Sequence, residues 1–135
     1  MMAEERVRST IDPALASRIL KSVPMQEAFM FFTDMGQYTG ESSSSLTDFF
    51  KKLTKIPLKS IDFHFKRGDF EKWIREVLGD EFLANEISKI DRTIHGEELR
   101  TTIQSIVKRR LDQLEFVLFQ RTSTTLFSVS KKEGQ

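Results

Sequence analysis

Residues 28–41 read AFMFFTDMGQYTGE, and the fold class turns on them, because the long segments on either side carry helical stripes. The apolar run from Ala28 to Phe32 is too short for periodicity to separate a helical turn from an extended piece. Gly36 and Gly40, with Asp34 and Thr39 beside them, have the composition of an ordered loop. The segment therefore reads as a loop with a short extended lead-in, and the chain as all-α.

Downstream, Ser42 to Ser45 supply N-cap candidates before Leu46, Phe49, Phe50 and Leu53, spaced i, i+3, i+4, i+7. That helix stops near Ile56, since a proline disfavours helix at the residue before it. Pro57 opens the next helix, with Leu58, Ile61 and Phe65 on one face. Gly68-Asp69 is a stop and then a start: glycine takes the left-handed conformation past a helix end, and aspartate caps the next helix. Phe70, Trp73, Ile74, Val77 and Leu78 then fit the helical template. Gly79-Asp80 repeats the punctuation before Leu83, Ile87 and Ile90. A break near His95-Gly96 precedes the longest helix, Glu97 to Gln120. Upstream, Asp12-Pro13 is a helix start ahead of Leu15, Ile19 and Leu20, and that stripe ends before Pro24.

The expected architecture is an irregular bundle of five or six helices with a long C-terminal helix. Residues 1–11 read as a flexible arm, 12–121 as a single helical domain, and 122–135 as a partly disordered Ser/Thr-rich tail. The length, 135 residues, suits one domain that buries roughly two thirds of its unfolded surface.

Composition narrows the function classes. The absence of cysteine removes disulfides and thiolate metal sites, and fits a reducing cytoplasm. No stretch approaches the roughly eighteen apolar residues of a membrane span. The charged start MMAEERVRST does not read as a secretory leader. With 21 basic and 20 acidic residues, the net charge of +1 offers no general attraction to nucleic acid or anionic lipid. The compact basic cluster Lys108-Arg109-Arg110 points in three directions on a helix and has no aromatic platform beside it, so a nucleic-acid role is not expected. Arg110 falls on the apolar stripe and is expected to pair with a buried acid, Asp69 or Asp62.

Chemistry concentrates in SIDFHFKRGDFEKWI, residues 60–74. Ser60 and His64, four apart on a helix, can meet, and Asp69 lies within reach just past the turn. A nucleophile, however, needs a sharp elbow beside oxyanion donors, and Ser60 sits inside an ordinary helix. The preferred reading has Asp69 capping a helix and His64 bonding a carbonyl or carboxylate at the junction, with no catalytic residue assigned. His64 and His95 lie far apart, so no metal and no cofactor is expected. A second reading makes Thr33, Asp34, Tyr38 and Thr39, with His64, Arg67 and Asp69, the polar contacts of a sugar or phosphate ligand. A third reading makes the chain an enzyme that uses His64 and Asp69.

The long helix carries Leu99, Ile103, Ile106, Arg110, Leu114, Val117 and Arg121 at alternating steps of four and three, which suits a partner helix as well as packing within the chain. FMFFTDMGQYTG, SLTDFFKKL, SIDFHFKRGDFEKWIREVLGD and GEELRTTIQSIVKRRLDQL together resemble an uncharacterised domain family of archaea and bacteria, a domain of unknown function. The phrase around His64, Arg67, Gly68, Asp69, Phe70 and Trp73 is its specific part. Members occur alone or fused to domains resembling glycosyltransferases or trehalose synthases, so the resemblance implies an accessory role beside carbohydrate-active enzymes. The leading expectation is a non-catalytic accessory domain that binds a protein partner or itself.

Overall fold

Residues 28–41 form most of a β-hairpin, and this corrects the all-α expectation. The structure, a computed structural model, describes residues 11–133 and side chains up to residue 120. All but Ile11 of the expected arm, and the side chains of the expected tail, lie outside the described residues. Strand β1 (Phe29–Asp34) pairs antiparallel with β2 (Gln37–Ser43), with Phe29 opposite Ser43 and Asp34 opposite Gln37. Two register shifts interrupt the ladder, and glycines take the sharp backbone positions: Gly36 turns the hairpin at φ 73° and Gly40 lies in β2 at φ 91°. Phe29 and Phe31 point into the core while Met30 points out, the two-residue alternation of a strand. β2 left no such pattern, because QYTGESS is polar on both faces and only Ser43 is buried.

Six α-helices accompany the hairpin among the described residues: α1 (Pro13–Leu20), α2 (Leu46–Lys52), α3 (Leu58–Arg67), α4 (Asp69–Trp73), α5 (Glu81–Ser88) and α6 (Gly96–Glu133). Their starts obey local capping chemistry. Asp12, Ser45 and Asp80 accept hydrogen bonds from the amides of Ala14, Asp48 and Leu83, satisfying donors that the first helical turn leaves open. The end of α3 is Gly68, at φ 75°. Beyond α4 the helix widens into one π turn, Ile74–Leu78, where the amides of Gly79 and Asp80 both converge on the Ile74 carbonyl.

The hairpin is held by aromatic packing. The Phe29 ring lies 4.7–5.8 Å, centroid to centroid, from Phe31, Phe49, Phe70, Trp73 and His64. One residue of β1 thus touches α2, α3 and α4 at once. The Trp73 indole donates to the Glu27 carbonyl at 2.8 Å, tying the approach to β1 onto α4. On the opposite side α6 buries Leu99, Ile103, Val107, Leu111 and Leu114. Much of the stripe that could seat a foreign helix is therefore spent within the chain.

Arg110 is buried, and its acid is neither Asp69 nor Asp62. Its Nε and Nη2 donate to the two carboxylate oxygens of Asp80 at 2.8 and 3.0 Å. Asp62 instead accepts the Gly96 amide at the start of α6. Asp80 thus caps α5 and fixes α6 against it with the same carboxylate. No described helix is long and apolar enough to cross a membrane.

Candidate functional site

A cavity of about 410 Å³ opens between the hairpin and the C-terminal half of α3. The hairpin contributes Phe29, Met30, Phe32, Asp34, Met35 and Gly36; the helical side contributes Phe63, His64, Arg67 and Asp69. The site exists because α3 ends abruptly at left-handed Gly68. That reversal places Arg67 as the last residue of one helix and Asp69 as the first of the next, both facing the turn of the hairpin.

His64 forms the back of this site. It is 3% exposed, its Nε2 accepts the backbone amide of Phe32 at 2.8 Å, and its Nδ1 lies 2.8 Å from Asp69 Oδ2. An amide can only donate, so Nε2 carries no proton and Nδ1 must donate to the carboxylate. The ring is thereby held neutral as one tautomer. Burial pushes its pKa below the ordinary 6.5, while the hydrogen bond and charge of Asp69 oppose that shift and Arg67 adds to it.

Asp69 Oδ2 receives a second donor, Arg67 Nε, at 3.0 Å. The Arg67 guanidinium also reaches the Met35 sulfur at 3.4 Å and lies 5.2 Å from the Phe63 ring centroid. Arg67 and Met35 therefore bridge the rim, joining the tip of the hairpin to the end of α3.

Of the seven residues singled out as ligand contacts, the structure brings Asp34, His64, Arg67 and Asp69 to one cavity and leaves three elsewhere. The Thr39 hydroxyl donates to the Phe31 carbonyl at 2.7 Å and accepts the Glu41 amide, bracing the irregular part of the hairpin. Thr33 reaches the Gln37 carbonyl across the turn. Tyr38 packs on Phe32, with ring centroids 5.4 Å apart. Asp69 makes no capping bond to α4; its carboxylate is engaged by His64 and Arg67.

Sequence reasoning misses the cavity's apolar walls. Phe63 is the available signal, since it is a large aromatic residue off the Leu58–Ile61–Phe65 face of its helix. Met30 and Met35 become wall residues only once the strand is recognised. The imidazole–carboxylate pair resembles part of a hydrolytic triad, yet the position a nucleophile would occupy at Nε2 is filled by the Phe32 amide. Among the described residues, no three histidine or acidic side chains group as a metal ion requires.

Fold and site together define a small mixed domain in which helices pack against a two-stranded hairpin, with an apolar, polar-rimmed pocket between the hairpin and α3. Residues 26–133 match a family of unknown function, DUF5752, and the chain belongs to that family. The match takes in every residue that lines the pocket. No curated protein and no solved structure matches the chain.

Proposed function

We propose that this domain is a non-catalytic binding module whose pocket between the hairpin and α3 takes an apolar small molecule. The supporting observation is the cavity of about 410 Å³ itself, walled by Phe29, Met30, Phe32, Met35 and Phe63 with only a few polar groups at its rim. This is the size and lining of a small-molecule site. Met30 and Met35, 43% and 69% exposed, supply unbranched, polarisable walls that adapt to an occupant. A sugar or phosphate would need more converging polar groups, and Thr33 and Thr39 spend theirs inside the hairpin. An acid–base role for His64 would require giving up the Phe32 amide.

Titration with small aromatic compounds, monitored by the methyl signals of Met30 and Met35, tests this reading. Selective shifts of those two methyls support it, and so does their loss in Phe63→Ser. Uniform or absent shifts across a broad panel count against it.

A second reading has support from α6. Phe116 and Phe119, 49% and 67% exposed, lie three apart on that helix and present an apolar strip to a protein partner or a second copy. An accessory role beside sugar-processing domains fits either reading. Sedimentation at high protein concentration checks self-association, and a strict monomer removes it.

A further inference from the structure

We infer that the pocket selects an organic ammonium ion, an apolar and preferably aromatic body ending in a protonated amine. The inference rests on the binding-module reading and adds the chemistry of the occupant. Two carboxylates, Asp34 and Asp69, and one guanidinium, Arg67, line the cavity, while His64 is held neutral. The guanidinium is partly engaged, with Nε on Asp69, Nη1 on the Met35 sulfur and its face near the Phe63 ring, and its charge offsets one of the two carboxylates, so the lining keeps a net negative charge.

The carboxylates keep acceptor capacity. Asp69 is immobilised through Oδ2, which takes both His64 and Arg67, whereas Oδ1 receives no hydrogen bond among the described residues. Asp34 accepts only the amide of Met35 in its own turn, at 2.7 Å, and pairs with no basic side chain among the described residues. An entering carboxylate would meet this surplus of negative charge. An ammonium would instead find two acceptors at the rim and the electron-rich faces of phenylalanines behind them.

Calorimetric titration at neutral pH with 2-phenylethylammonium, 2-phenylethanol and 3-phenylpropanoate separates the cases, because the three share an aryl body and differ in charge. The ammonium is expected to bind about tenfold or more tightly than the alcohol, and the carboxylate weakest. Asp34→Asn and Asp69→Asn should each shrink the ratio of ammonium to alcohol affinity toward one, both ligands being measured in each variant. Added salt should weaken the ammonium alone. If Asp69→Asn does not fold, Asp34→Asn and the wild-type salt dependence decide the question. Equal binding of ammonium and alcohol, or a preference for the carboxylate, overturns the ammonium inference and leaves the pocket reading standing. Failure of all three compounds to bind overturns both.

Discussion

The imidazole of His64 joins strand to helix junction with both of its nitrogens, accepting the Phe32 amide at 2.8 Å and contacting Asp69 Oδ2 at 2.8 Å on the other side. A two-stranded hairpin is marginal by itself. This one is carried by the helices, through Phe29 and Phe31 in the core and through His64 at its backbone. The residue with the most catalytic appearance is thus a strut under the pocket.

Replacing His64 by alanine should destabilise the fold by about 2–4 kcal/mol, since a buried amide loses its acceptor and a cavity opens among the phenylalanines. Urea unfolding measures this directly. A loss below about 1 kcal/mol would mean that the Phe32 amide finds another partner.

The same residue sets a pH dependence. Its folded pKa lies below 6.5, so under acidic conditions the unfolded chain binds the proton that the folded chain refuses. The contribution of His64 is fully present above pH 6.5 and is lost as pH falls through the folded pKa. The unfolding midpoint should therefore drop between neutral and mildly acidic pH, and the drop should be smaller in His64→Gln. Equal slopes in the two proteins would contradict the assignment.

Arg110→Met leaves the Asp80 carboxylate buried without its cation and should cost about 3–5 kcal/mol. Asp80→Asn together with Arg110→Met removes the orphaned charge while an amide oxygen still caps α5. The double variant should be more stable than Arg110→Met alone, as thermal melts of the pair will show. Additive losses would mean that the charge pair is not coupled.

Gly36 tests the hairpin. Beyond Gly36 and its two chain neighbours, no atom lies within 4 Å of the place a β-carbon would take, so the cost of Gly36→Ala comes only from its φ of 73°. A left-handed residue with a β-carbon is disfavoured by about 1–2 kcal/mol. Gly36→Asn, which tolerates that conformation better, should fall between alanine and wild type in chemical denaturation. If alanine proves neutral, the turn does not have the described conformation.

Most helix ends are legible because they depend on neighbours. Asp12 and Pro13, Ser45, Gly68, and Gly79 with Asp80 each act on backbone within a few residues, and each marks the expected boundary in the structure. The hairpin is not legible for the opposite reason. β1 offers an ambiguous apolar run, β2 offers no apolar alternation, and strand pairing satisfies both only after the chain has folded back. The glycines of 28–41 have loop composition, but in the fold they serve a turn and an irregular strand.

The amino-acid order by itself determined where most helices begin and which faces turn inward, because capping and periodicity are local; the helix expected to reach Ile56 ends at Lys52, and the one expected to end at Gln120 runs to Glu133. Tertiary structure alone decided the partners. His64 reaches Phe32, 32 positions away, and Arg110 reaches Asp80 across 30, in place of the expected acids Asp62 and Asp69. It also decided that Phe63, Met30 and Met35 enclose a space with Arg67 and Asp69, since residues on a strand and a helix share a wall only when the core aligns them.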